Sequence, residues 1–198
     1  ACCEYCAVGM VFLTLGRRQG DAKVNEMGEE SVITSERRFR RATMADLPIM
    51  LKIYEHARKL MASNGNPTQW GDKFPREEVV RDDVESQRTV LLVDTVDGKE
   101  RVLAQFALCP GVDPTYVNID GAWLDDDPYV TIHRIASSGL AKGAAKDCIN
   151  WCIEHYGNVR ADTHPNNKAM QHVLESNGFA RCGLIQLLDR PSDTTRIA

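Results

Sequence analysis

Residues 133–145 (HRIASSGLAKGAA) carry the most chemistry-bearing pattern in the chain. The stretch passes from an alternating apolar segment into a helical one through small residues. A helix start leaves backbone N–H groups unpaired, and the helix dipole adds partial positive charge there. Gly139, Ala141, Gly143, Ala144 and Ala145 let a ligand approach that backbone, and Lys142 adds a full charge. These are the requirements of a pyrophosphate cradle. The stretch has neither the Gly-Lys-Ser/Thr of a Walker A loop nor the Gly-x-Gly-x-x-Gly of a dinucleotide fingerprint. His133 precedes the cradle, on the side of its strand that carries Thr131, Ile135 and Ser137. Imidazole titrates where a proton acceptor is useful, although a lone strand histidine also reads as a hydrogen-bonded core residue. A second stretch, residues 162–179, holds Asp162, His164 and Asn167 ahead of a helix that stops at Asn177-Gly178. His164 reads as a base or as a helix cap, and Asn167 as an N-cap. Asp162 and Asp120 are further carboxylates with simple solvent or turn readings.

The elements that must position these groups follow from periodicity. A short strand surrounds Phe39. Thr43 and Asp46 form a capping box, and Leu47, Met50, Leu51, Tyr54, Ala57 and Met61 recur at helical spacing up to the stop at residues 64–67. Pro75 suits the first turn of a second helix over 76–86, with Val79, Val80 and Val84 inward. Residues 89–94 (TVLLVD) read as a buried strand, Asp97-Gly98 as a hairpin turn, and residues 102–109 as the returning strand. Residues 116–119 add a short piece of strand, and the acidic run 125–127 is a solvated turn. Strands follow over 129–137, 159–163 and 179–188, with helices over 143–156 and 165–176. The early hairpin excludes an all-parallel sheet. The predicted fold is therefore a single mixed α/β domain over 37–198, with a central, mostly antiparallel sheet flanked by helices.

The 198 residues include 43% hydrophobic and 26% charged side chains, ordinary globular usage that excludes a disordered chain, a fibre or a coiled coil. The net charge of −4 offers no basic excess for nucleic acid or an anionic membrane. No apolar run approaches the length of a membrane helix. Residues 1–36 show no sustained period and read as an N-terminal extension, native or artefactual, with Met27 an alternative start. The run 8–15 has no basic residue before it and so does not read as a signal peptide, which favours a cytoplasmic setting. Cys2, Cys3 and Cys6 lack a second ligand pair at zinc spacing. Cys109, Cys148, Cys152 and Cys182 read as reduced core residues, and no metal is expected.

Taken together, residues 134–145 and 162–179 resemble the GNAT superfamily of acetyl-CoA-dependent N-acetyltransferases. The element order from 37 to 188 follows the same family, and the resemblance is most specific over 129–179. The family loop reads Arg/Gln-x-x-Gly-x-Gly/Ala, and Leu140-Ala141-Lys142-Gly143-Ala144-Ala145 stands in its place, departing at Leu140. The family helix Asn-x-x-Ala-x-x-Leu-Tyr ahead of Gly-Phe maps Asn167 onto the Asn and Leu174 onto the Tyr that usually protonates the departing thiolate. Leu174 cannot donate a proton.

The resemblance implies acetyl-CoA as cosubstrate and a primary amine, on a small molecule or peptide, as acceptor. It implies direct attack in a ternary complex, and it leaves a homodimer open. Ile135, Ala136 and Ser137 would present the strand edge to the acyl arm. Residues Leu140 to Ala145, with Asn167, would hold the rest of the cosubstrate. His133 and His164 are the candidate bases. Gln69, Trp70 and Asp72, in the loop between the first two helices, border the expected acceptor pocket. A non-catalytic acyl-CoA-binding module is the alternative favoured by Leu140 and Leu174, and a phosphate-ligand enzyme without CoA is another.

Overall fold

The computed structural model describes residues 36–198. The expectations for Cys2, Cys3, Cys6, the 8–15 run and Met27 lie outside the described residues. Strands β1 (Arg38–Arg41), β2 (Thr89–Val96), β3 (Lys99–Pro110), β5 (Val130–Ser137) and β6 (Val159–Ala161) form a five-stranded sheet in the order β1-β2-β3-β5-β6. Its ladders are antiparallel except for the parallel β5–β6 pair. Strands β4 (Asp120–Gly121), β7 (Gly183–Gln186) and β8 (Thr195–Ile197) form a second, antiparallel sheet. A bridge between Thr163 and Ile197 joins it to the end of β6.

The apolar run in β2 has no polar face because both faces are covered. Val90 and Leu92 enter one core with α3 (Ala144–Tyr156) and α4 (Lys168–Ser176). Leu91 and Val93 enter the other with α1 (Leu47–Ser63) and α2 (Glu77–Glu85). Each such burial contributes about 1.5–3 kcal/mol. The hairpin turn falls at Asp97 and Gly98, at φ +49° and +73°, as a two-residue turn of primed type requires. The Thr43 amide and hydroxyl both donate to Asp46 Oδ2, at 2.8 and 2.9 Å, ahead of α1. Trp151 of α3 stacks on Phe39 with ring centres 5.0 Å apart, which fastens edge strand β1 to that layer. Cys148 and Cys152 are fully buried in the same layer. Burial pushes the Cys152 thiol up to about 12.

Several boundaries depart from expectation. Pro75 precedes the N-cap Arg76 rather than entering α2. Residues 114–116 form a 3-10 turn, and β4 begins only at Asp120. The segment 165–167 is a turn, and α4 starts after Asn167. The last predicted strand is shorter than expected and is followed by β8, which the periodicity did not reveal. Cys109 and Cys182 are half-buried rather than core residues. Among the described residues no helix is long and apolar enough to cross a membrane.

Candidate active site

The site begins with an irregularity in β5. Ala107 pairs with His133, and Gln105 pairs with Ala136, so Phe106 alone faces both Arg134 and Ile135. This is a β-bulge, and it bends the strand. Arg134 takes φ +54° there, a conformation unfavourable for a residue with a side chain. Its guanidinium crosses to α2 and grips Asp83 through Nε (2.7 Å) and Nη2 (2.9 Å). Arg88 Nε holds the same carboxylate at 3.0 Å, and Asp83 is 2% exposed.

Beyond the bulge the sheet opens. The β5–β6 ladder ends at Ile132 and Ala161, while β5 continues to Ser137 and the chain after β6 turns away to meet β8 at Thr163. A cleft of about 450 Å³ occupies the opening. His133, Ile135, Ala136 and Ser137 line one wall, Asp162 and Thr163 the other, and Ala145 of α3 and Met170 of α4 the floor. Leu174 also lines it, where the resemblance expected a tyrosine.

At α3 the first helical bond runs from the Asp147 N–H to the Gly143 carbonyl, so the amides just ahead of Asp147 are the ones a helix start leaves open. Gly143 is the N-cap at φ +77°, and a side chain built on it would meet nothing within 4 Å. The space above this helix start is therefore open. Arg37 bonds the Lys142 carbonyl at 3.1 Å and also pairs with Asp147, which fixes the turn. Of residues 140–145, only Ala145 lines the cleft. Leu140 is exposed, Ala141 packs against the core and Ala144 is buried.

His133 sits at the mouth of the opening. Its Nε2 lies 2.7 Å from Asp113 Oδ2, and its Nδ1 lies 3.9 Å from Asp162 Oδ1. Asp113 Oδ1 accepts from the Thr115 amide at 2.8 Å, so Thr115 and His133 fix the carboxylate from two sides, and the Asp113 amide donates to the Tyr129 hydroxyl at 3.1 Å, which anchors the backbone. Burial alone would raise the Asp113 pKa. The His133 and Thr115 hydrogen bonds outweigh it and hold the group below the usual carboxylate range. Burial also pushes the Tyr116 phenol up, aided by the Asp162 charge. It therefore remains protonated and donates to Asp162 Oδ1 at 2.8 Å.

The structure brings His133, Ile135, Ala136, Ser137, Ala145, Asn167, Gln69 and Trp70 to one cleft. It does not bring His164 or Asp72 there. His164 is buried at the turn into α4: Nδ1 accepts from the Asn166 amide at 3.0 Å and Nε2 faces Asp193 at 2.8 Å. Both ring nitrogens are engaged, which leaves no lone pair for a base. Asp72 is exposed on its loop. Asn167 caps α4 by accepting from the Met170 amide at 3.1 Å, and its Nδ2 donates to Gln69 Oε1 at 2.9 Å. Its polar ends are thus bound within the protein. Trp70 packs edge-on against Tyr54 with ring centres 5.6 Å apart. Sequence reasoning missed Asp113, Arg134, Arg190 and Arg196. For Asp113 the available signal was an aspartate directly ahead of Pro114, a usual start for a tight helical turn.

No protein-family model and no curated protein matches the sequence. Solved structures do. A GNAT-family acetyltransferase from Streptococcus agalactiae superposes with a TM-score of 0.70 at 29% identity, covering 81% of this chain and 92% of that one. A ribosomal-protein-alanine N-acetyltransferase from Brucella melitensis matches with a TM-score of 0.54 at 17% identity, over 81% of this chain and 96% of that one. A protein from Salmonella typhimurium solved with its cofactor acetyl-CoA matches at 0.50 and 16% identity, over 81% and 90% of the two chains. With its bulged fifth strand, parted sheet and open helix start, this chain has the fold of the GNAT acetyltransferases.

Proposed function

We propose that the protein is an N-acetyltransferase that passes the acetyl group of acetyl-CoA to a primary amine by direct attack in a ternary complex. The observation that carries this reading is the Asp113–His133 pair at the mouth of the parted strands, facing Asp162. Acetyl-CoA supplies an activated thioester. The α3 amides around Ala144 and Ala145 receive its diphosphate, and the strand edge at Ile135 to Ser137 runs along its acyl arm. The bulge sets Arg134 and Ile135 together against Phe106, and on this reading the growing oxyanion falls to the backbone amide there.

An alkyl ammonium must lose a proton before it attacks. Asp162 attracts the ammonium to the cleft wall. With Nε2–H donated to Asp113, His133 presents the Nδ1 lone pair and takes that proton. Asp113 acts on His133 rather than on the acceptor and is a positioning residue. The amine nitrogen adds to the carbonyl carbon to give the oxyanion, whose collapse breaks the C–S bond and releases the thiolate. The second nitrogen-bound proton passes to solvent or to that thiolate. Leu174 donates nothing to it. A thiol pKa near ~8.5 makes the thiolate a tolerable leaving group without an acid. The half-buried loop at Gln69 and Trp70 contacts the acceptor. A cytoplasmic setting suits the free cysteines at 109, 148, 152 and 182.

The test is release of free thiol from acetyl-CoA with a panel of amines, alongside thermal shifts with CoA, ATP and NAD. Binding at 100 times Kd raises stability by about 2.7 kcal/mol. CoA should stabilise the fold and at least one amine should be acetylated. Stabilisation by CoA without transfer to any amine would favour the non-catalytic acyl-CoA module instead, the reading that Leu174 supports.

A further inference from the structure

Two guanidinium groups line the cleft with no carboxylate among the described residues at hydrogen-bonding distance. Arg196, on β8, is 2% exposed. Its Nη1 donates to the carbonyls of Asp193 (2.8 Å) and Thr195 (2.7 Å). Its Nη2 is buried and has no partner among the described residues. Arg190 stacks on the Phe74 ring at 4.0 Å and donates through Nη1 to the Gln69 carbonyl. Its Nε is likewise buried and unpartnered among the described residues. The nearest acidic oxygens are Asp193 Oδ1, 3.9 Å from Arg196 Nη1, and Asp189 Oδ1, 4.0 Å from Arg190 Nε. Both are too far for a hydrogen bond, and Asp193 already faces His164.

A guanidinium cannot escape burial by shedding its proton, and a buried unsatisfied donor is destabilising. Burial lowers the pKa of both groups, and for Arg196 the neighbouring Arg190 charge adds to it. Both line the same cleft as Asp113, His133 and Asp162. The cleft therefore has an anionic pole that suits an amine and a cationic pole whose free donors are few. A planar, singly charged acceptor fits those donors. A dianionic phosphate fits poorly beside Asp162 and Asp189.

We infer that the acceptor amine also carries a carboxylate, bound by Arg196 and Arg190 while Asp162 and His133 receive the amine. This rests on the acetyl-transfer reading above. The carboxylate comes either from a free amino acid or from the side chain of a peptide that begins with Asp or Glu.

The experiment gives the wild-type protein acetyl-CoA with matched acceptors: free amino acids, their carboxamides, the corresponding decarboxylated amines, and short peptides opening with Asp, Glu or Ala. Acids should exceed their carboxamides by about 100-fold or more in kcat/KM, because the carboxamide loses the charge and turns its NH2 against a buried donor. Free amino acids and acidic peptides, compared directly, separate the two sources. Arg196→Lys and Arg190→Gln should raise the acceptor KM about 10-fold while leaving the acetyl-CoA KM in place. If Arg196→Lys fails to fold, Arg190→Gln and the wild-type series still decide. Equal rates for acid and amide, a preference for phosphate-bearing amines, or variants that weaken acetyl-CoA binding instead overturn the inference. Calorimetric titration of the same acceptors into the CoA complex separates the two claims. Carboxylate-dependent binding without turnover retains this site and rejects acetyl transfer. Turnover without discrimination does the reverse, and neither binding nor turnover rejects both.

Discussion

Asp83→Asn tests whether the bulge that opens the sheet is held by charge. Asp83 Oδ1 accepts from Arg88 Nε and Arg134 Nη2, and Oδ2 accepts from Arg134 Nε at 2.7 Å. Asparagine can keep the first two bonds through its carbonyl oxygen. Its amide then points N–H at the Arg134 Nε–H, so one charge-assisted bond is replaced by two opposed donors. The carboxylate charge facing two guanidiniums is lost as well. Breaking a buried ion pair in this way costs about 3–5 kcal/mol. For a domain of this size that lowers Tm by roughly 6–20 °C. Urea unfolding followed by tryptophan fluorescence should show the loss in midpoint at unchanged slope, since the surface exposed on unfolding is the same. Activity should fall together with stability, because Ile135 depends on the same clamp. The double variant Asp83→Asn with Arg134→Met should recover part of the lost stability by removing the opposed donor. A single variant within about 1 kcal/mol of wild type would refute the reasoning and leave the bulge to the sheet ladder alone.

Other outcomes follow from the site. His133→Gln should lower kcat about 10²- to 10⁴-fold with little change in KM; an unchanged kcat clears His133 of the base role. Gly143→Glu should remove CoA binding in calorimetry, whereas Gly143→Ala should retain it with a loss of about 1 kcal/mol in stability from the φ +77° backbone; equal CoA affinity in both variants would discard the cradle. The hydrogen bond from Arg40, aided by Thr43 against the cost of burial, lowers the Asp46 pKa to about 2. Its contribution is therefore present above the ordinary carboxylate pKa and lost as pH falls through about 2. Asp46→Asn should be less stable than wild type at pH 7 and converge with it near pH 2, as read by denaturant unfolding at each pH.

Local signals were legible where neighbours in the chain are neighbours in space. The Thr43–Asp46 box, the Asp97-Gly98 turn, the stop at Asn177-Gly178 and the small residues at Gly143 to Ala145 all act within a few residues. The apolar run of β2 likewise announced a strand covered on both faces. What stayed hidden depends on distant pairing. Asp83 sits in EEVVRDDVE, where an acid reads as solvated, and its partner Arg134 lies 51 positions later. His164 looked available because Asp193, 29 positions on, is invisible at that range. Strand β8 is three residues long with an arginine at its centre, so no apolar alternation marks it. Its burial comes entirely from the walls built around it.

The bulge also decides which edits the gene can tolerate. Ile132 belongs to the core under α3 and α4, and Ala136 to the core under α1 and α2. They are an even number of residues apart, so an unbroken strand would seat them on the same side. The extra residue at 134–135 is what reverses the alternation before the chain enters Ser137 and the turn to α3. Loss of a single codon there would leave Ile132 and Ala136 an odd number of residues apart, so a regular strand would still seat them on opposite faces and only the bend would be lost. In a library of single-residue deletions across 130–137, the fold should therefore survive best at the bulged centre, at 134–135, and be lost where a deletion shifts regularly paired residues.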